Sequence, residues 1–230
     1  MSLALLCPGQ GAQHAAMFDR VRDLPAVRDV LETASAVLGR DVFAAAADES
    51  RFDNALAQPL LCAASLTHWQ GLREAVPAPV LVAGYSIGEL AAHAIAGSFD
   101  ATTCLALAVQ RAQLMDSASP ADAGLQAVLG LDRRSLQSLC DAQGTYVAIA
   151  NGQDHFIVGG TQASLQRLAD AARAQGADIR LLPVRVPAHT PLLAAAVAPF
   201  AAALDASLLQ APRLPLLASI DARPVRDRAT

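Results

Sequence analysis

Val80-Leu81-Val82-Ala83-Gly84-Tyr85-Ser86-Ile87-Gly88-Glu89-Leu90 is an apolar run that stops at a Gly-x-Ser-x-Gly turn and resumes among helix formers. The residues before Gly84 read as a buried strand, and Glu89-Leu90-Ala91-Ala92-His93-Ala94 reads as the start of a helix. Ser86 therefore falls at a strand-to-helix turn, the sequence form of a nucleophile elbow. Glycine at 84 and 88 permits the tight turn and a close approach of strand and helix, while free N–H groups at the helix N-terminus favour a developing oxyanion. A surface turn that happens to carry Gly-x-Ser-x-Gly is the plainer alternative.

Upstream, Leu3 to Cys7 reads as a buried strand that ends in Pro8-Gly9-Gln10-Gly11, a glycine-rich loop. Val21 to Leu38 has helical spacing with Gly39 as a C-cap, and Gln58-Pro59 opens a second helix from Leu60 to Arg73. Downstream of the elbow, Phe99-Asp100-Ala101-Thr102-Thr103 offers a cap for a helix running through Leu105 to Met115. This much is α/β with a buried parallel sheet.

Near Ser119-Pro120-Ala121-Asp122-Ala123-Gly124 the long helices give way to a quick alternation. Leu125 to Leu131, Tyr146 to Ala150, His155 to Gly159 and Ile179 to Val186 read as strands. Arg133 to Ala142 and Gln162 to Gln175 read as helices. The order is βαββαβ, the ferredoxin-like arrangement. Pro187-Ala188-His189 then leads into an alanine-rich helix, Leu192 to Leu209, and a last strand near Leu214 to Ile220. The expected organisation is a core of residues 1–120 and 187–230, interrupted by a small subdomain at 121–186.

The 230 residues are 53% apolar with a formal charge of −4, which gives a globular chain and argues against a nucleic-acid surface. Cys7, Cys62, Cys104 and Cys140 lie far apart in apolar stretches and read as reduced core thiols, with no metal-type spacing. No basic leader or bilayer-length segment is evident, so the expectation is a cytoplasmic protein with no membrane partner.

Five motifs occur in order: Pro8-Gly9-Gln10-Gly11-Ala12-Gln13, Gln58-Pro59, Gly84-Tyr85-Ser86-Ile87-Gly88-Glu89, Arg111-Ala112-Gln113-Leu114-Met115 and Val186-Pro187-Ala188-His189. Together they resemble the malonyl-CoA:acyl carrier protein transacylase family, from Leu3 to about Val225. The resemblance implies an α/β-hydrolase-like core and a serine that is acylated by malonyl-CoA and passes the group to a phosphopantetheine-type thiol on an acyl carrier protein. Ser86 matches the nucleophile and His189 its base, while His14, His68, His93 and His155 read as solvated or satisfied. The backbone amides of Gln10 and Ile87 match the oxyanion hole, although the loop before Gln13 is also explicable as a turn. Arg111 matches the arginine that binds the malonyl carboxylate, against a plain helix-surface arginine. Gln58 lines the same pocket, and Asn151 matches a position near the substrate channel that a simple turn explains equally well. Malonyl-CoA enters as substrate, and no resident cofactor or metal is implied.

Tyr85 stands where the family elbow usually has histidine. With Arg111-Ala112-Gln113-Leu114-Met115-Asp116 it looks like the transacylase subunit of malonate decarboxylase. The family also continues past the position of Thr230, with a residue that orients the catalytic histidine, so the expectation is a chain interrupted after the charged tail Asp221 to Arg228. A serine hydrolase or editing thioesterase, and a non-catalytic subunit that docks a carrier protein, are the competing functions.

Overall fold

The computed structural model describes residues 2–11 and 13–227. Ala12 of the glycine-rich loop and Arg228 of the charged tail, both part of the sequence reading, lie outside the described residues. The chain divides into two compact units, Met1–Ala112 with Phe200–Thr230, and Gln113–Pro199.

In chain order the first unit contributes β1 (Ala4–Cys7), α1 (Arg28–Leu38), α2 (Val42–Ala47), α3 (Asn54–Leu72), β2 (Leu81–Gly84), α4 (Gly88–Ile95) and the start of α5 (Ala101–Ala118). The second holds β3 (Ala123–Leu129), α6 (Arg133–Gln143), β4 (Tyr146–Ala150), β5 (His155–Thr161), α7 (Gln162–Arg173), β6 (Asp178–Leu181) and the start of α8 (Ala194–Ala206). The chain closes in the first unit with β7 (Leu216–Leu217) and β8 (Pro224–Val225).

The sheet of the first unit has the order β1-β2-β7-β8, and its first three strands run parallel. Where a parallel sheet was expected, one pair differs: β8 pairs with β7 antiparallel. A tight reversal makes this possible: Ala218 donates to the Arg223 carbonyl, Ala222 donates back to Ala218, and Ala222 takes a φ of 57°. Pro224, which has no N–H to give a further neighbour, sits at the free edge. Val82, Ile87, Leu60, Leu105 and Leu216 fill the core between the sheet and its helices.

Two helix starts differ from the sequence reading, and a proline stands near each. Pro25 confines residues 25–27 to a 3-10 turn, so α1 begins at Arg28 rather than near Val21. The helix expected from Leu60 instead begins at Asn54, behind an extended Asp53, and carries Pro59 in its interior. Packing on both sides overrides the missing hydrogen bond there, since residues 57–63 are all buried. Asp100 caps α5 as expected, its carboxylate accepting from the Thr103 amide at 2.7 Å.

The second unit's sheet runs β4-β5-β3-β6, antiparallel throughout. Period-2 alternation along central β3 sends Val128 toward a cluster formed with α6 and α7. Leu125 and Ala127 point instead to a second cluster holding Ile157, Val186, Ala188 and Leu193. Gln126, buried among the helices, donates to the Leu165 carbonyl at 3.1 Å. The strand expected over Ile179 to Val186 stops at Leu181, because Pro183 cannot donate to the ladder. Residues 182–190 run on without regular structure and cover the β-sheet face through Val186 and Ala188. That packing, with Met115 at the end of α5 in the same cluster, puts the unit boundaries at 112/113 and 199/200 rather than at 120/121 and 186/187.

Candidate active site

The elbow is built by two close approaches that only glycine permits. A Cβ on Gly84 would meet the backbone of Gly88 and Glu89, and one on Gly88 would meet the carbonyls of Cys7 and Pro8. Cys7 lies opposite Gly84 in the parallel register, and its carbonyl accepts from the Tyr85 amide at 2.9 Å. The turn then closes on itself, Gly88 donating to Tyr85 at 3.0 Å and Glu89 to Ser86 at 3.0 Å. Between them Ser86 is forced to a φ of 55°. For a residue with a Cβ this left-handed backbone costs roughly 1–3 kcal/mol, a strain that clusters at functional sites.

The end of β1 brings the glycine-rich loop against the elbow. Tyr85, half exposed, lays its ring over Gly9, where a Cβ would come within 2.7 Å of the ring edge. Among the described residues, the N–H groups of Gln10 and Ile87 donate to no other backbone group. Gln10 also holds its side-chain Nε2 buried without an acceptor among the described residues. Ile87 is fully buried at the N-cap of α4, where the helix dipole adds to the donor character of its amide.

Arg111, on α5, reaches the same place. Its Nη1 donates to Oε1 of Gln58 at 2.7 Å, and its Nη2 to Oγ of Ser86 at 3.4 Å. Both partners are neutral, and burial pushes the guanidinium down from its ordinary value. Glu89 acts on this charge from nearby and favours it, but the groups that hydrogen-bond the guanidinium are neutral, so a partly desolvated cation beside a serine oxygen favours an anion at that point. Gln58 is fully buried and donates in turn to Asn54 Oδ1 at 2.6 Å, while Asn54 donates to the Ala112 carbonyl at 3.0 Å.

Three cysteines lie beneath the elbow but do not compete as nucleophiles. Burial, helped by neighbouring Cys62, pushes the Cys7 thiol up to about 12, so it is neutral near pH 7. Its hydrogen bond with Cys62 and its burial raise Cys104 as well. Cys62 Sγ donates to the Ile87 carbonyl at 3.8 Å. All four cysteines are buried free thiols. Among the described residues no cluster of histidine, cysteine and carboxylate side chains could hold a metal. No described helix is long and apolar enough to cross a membrane.

Glu89, in the first turn of α4, grips the distant chain end. Its two carboxylate oxygens accept from the amide and hydroxyl of Ser219 at 2.9 and 2.6 Å. His68 and His93 have their Nδ1 atoms engaged, with the Ala64 carbonyl at 2.8 Å and the Ser98 hydroxyl at 3.2 Å. Burial lowers His93 below the usual imidazole value.

His189 and Asn151 belong to the second unit. His189 is exposed and takes a φ of 61°, while Val186, Pro187, Ala188 and Thr190 around it are buried. The turn is fastened by Thr190 Oγ1, which donates to the Pro187 carbonyl at 2.6 Å, and by Ala188, which donates to Val186 at 2.8 Å. It seats on β5 at Gly159, where a Cβ would meet Thr190 Cγ2 at 2.7 Å. Asn151 is exposed in the β4–β5 turn, and its amide donates to the His155 carbonyl at 2.9 Å.

The structure thus brings Ser86, Arg111 and Gln58 into one hydrogen-bonded set, with the Gln10 loop beside the elbow. Sequence reasoning missed Asn54 and Gly159. Asn54 had a usable signal, one helical turn before Gln58, whereas Gly159 lies in a strand whose neighbour came from a segment without periodicity.

A strained serine at a strand-to-helix turn, faced by a half-buried arginine, is an arrangement suited to acyl-group chemistry on an α/β frame. Residues 4–230 match the acyl transferase domain family, and the chain belongs to it. Malonyl CoA-acyl carrier protein transacylase of Mycobacterium bovis is 35% identical over 99% of this chain and 77% of its own length. The crystal structure of the malonyl-CoA:acyl carrier protein transacylase of Xanthomonas oryzae pv. oryzae superposes with a TM-score of 0.91 at 28% identity, covering 100% of this chain and 77% of that one. A malonyl-transacylase in complex with a type II polyketide acyl-carrier protein gives a TM-score of 0.90 at 30% identity, covering 99% and 77%.

Proposed function

We propose that this chain transfers a malonyl group from malonyl-CoA to the phosphopantetheine-type thiol of an acyl carrier protein through an ester on Ser86. The observation that carries the reading is Arg111, a half-buried guanidinium held by Gln58 and pointed at the nucleophile oxygen. A neutral acyl chain gives that cation nothing, whereas the free carboxylate of malonyl can take both of its parallel donors.

In the first half-reaction Ser86 Oγ attacks the thioester carbon and His189 takes the hydroxyl proton. The negative oxygen of the tetrahedral intermediate is received by the amides of Gln10 and Ile87, each such donor being worth about 3 kcal/mol of barrier. Collapse breaks the carbon–sulfur bond, and His189 returns the proton to the departing coenzyme A thiolate. The carrier thiol then gives its proton to His189, attacks the ester, and releases Ser86 with its proton restored. The role of His189 rests on its motif and is supported by its fastened, left-handed turn. Asn151 is assigned to the substrate channel by motif alone.

The same reading takes the first unit as α/β-hydrolase-like and the second as ferredoxin-like, supported by the elbow in one and the βαββαβ order in the other. A malonate decarboxylase system is its proposed setting, supported by Tyr85 and the run Arg111 to Asp116. Transfer of radiolabelled malonyl from malonyl-CoA to a phosphopantetheinylated carrier protein tests the function. Malonyl-carrier formation that disappears in Ser86→Ala and falls by about 10³ or more in His189→Ala is the expected result. Free malonate appearing at the same rate with and without carrier would make the chain a hydrolase instead.

A further inference from the structure

We infer that Asn54 is a positioning residue for Arg111, and through it for discrimination between acyl groups that carry a carboxylate and those that do not; this rests on the malonyl reading of Arg111. Two primary amides, Asn54 and Gln58, link groups of fixed polarity. At one end stands the Ala112 carbonyl, which only accepts, and at the other the guanidinium of Arg111, which only donates. With Ala112 accepting from Asn54 Nδ2, Asn54 Oδ1 must face Gln58, and Gln58 must donate to it. Gln58 is then obliged to present Oε1 to Arg111. Neither amide can be turned over without setting oxygen against oxygen or N–H against N–H.

The geometry of the two helices makes the relay a closed loop. Asn54 and Gln58 stand one turn apart on the same face of α3, and Ala112 is the residue next to Arg111 on α5. The helix that supplies the guanidinium therefore also fixes the far end of its support. Asn54 is buried and Gln58 fully so, which shuts bulk solvent off from the Gln58 amide. Holding Nη1 on Gln58 leaves the Nη2 side directed at Ser86 Oγ, the orientation a carboxylate attached to the acyl group needs.

The test is single-turnover acylation of Ser86 by malonyl-CoA and by acetyl-CoA, with wild type and Arg111→Ala as the two ends of the scale. Asn54→Ala is expected to lower the malonyl-over-acetyl ratio by about fivefold or more, through weaker half-saturation by malonyl-CoA, with acetyl rates within about twofold of wild type. Asn54→Ser recovers most of the ratio, because a hydroxyl can donate to Ala112 and accept from Gln58. Should Asn54→Ala fold poorly, the near-isosteric Asn54→Asp lowers the ratio as well, since a carboxylate repels the Ala112 carbonyl. An equal fall of both substrates, or an unchanged ratio where Arg111→Ala collapses it, overturns the role of Asn54. If Arg111→Ala itself leaves the ratio unchanged, the malonyl reading fails, and Asn54 is judged by the Arg111 Nε–H signal in NMR. Slow solvent exchange in wild type and fast exchange in Asn54→Ala upholds the relay; identical exchange overturns it.

Discussion

The elbow of the first unit and the His189 turn of the second hold their residues in nearly the same backbone conformation, at φ 55° and 61°, by different means. At Ser86 the strain is imposed by backbone packing, because a strand and a helix meet where glycines at 84 and 88 let backbone touch backbone. At His189 it is imposed from outside, by buried neighbours seated on a sheet face and by one hydroxyl tied to a carbonyl. The motif of the first kind is written within five residues, although Gly88 also needs the backbone of Cys7 and Pro8 against it. The second needs a partner about thirty residues earlier in the chain, and it is tuned by packing rather than by a motif.

Gly88→Ala makes the largest break in that contrast. Its new methyl would strike backbone carbonyls that have nowhere to go, so a destabilisation above about 3 kcal/mol is expected, with loss of the Ser86 ester. Thermal melts and acylation assays would show a folded, active variant if the close approach were dispensable. Gly159→Ala comes next. Thr190 and Leu125 are side chains that can move, so about 1–3 kcal/mol is expected, with transfer falling more than the ester yield of Ser86 on long exposure. Unchanged transfer would mean that the His189 turn does not depend on its seat.

The smallest effect sharpens the comparison most. Ser86→Gly should melt higher than Ser86→Ala by about 2–4 °C, since glycine accepts a left-handed backbone at about 1 kcal/mol less cost. His189→Gly against His189→Ala should show the same difference. Equal melting of the pair at 189, beside a clear difference at 86, would show that packing alone sets the second turn.

What could be read from the chain follows the same division. The elbow, the Asp100 cap and the βαββαβ order were legible because glycine, an acidic cap and alternating periodicity act within a few residues. Pro59 misled, because its preference for a first turn was outweighed by burial of residues 57–63 around it. The end of β6 was missed because the apolar run Leu181-Leu182 continues past the ladder that Pro183 closes. The Ser86, Arg111 and Gln58 set was foreseen as residues, yet the amide relay behind it was not. Asn54 carries no chemistry of its own, and its polarity is decided by a backbone carbonyl 58 residues away.

In the proposed chemistry Arg111 grips an anion while Ser86 carries the acyl group. Intact-protein mass spectrometry after brief exposure to malonyl-CoA tests this directly, beside acetyl-CoA, Ser86→Ala and Arg111→Ala. The expected result is a malonyl adduct on the wild-type chain that is absent from Ser86→Ala, weak with acetyl-CoA, and lost from Arg111→Ala. Equal malonyl and acetyl adducts, or a malonyl adduct that survives Ser86→Ala, would contradict it.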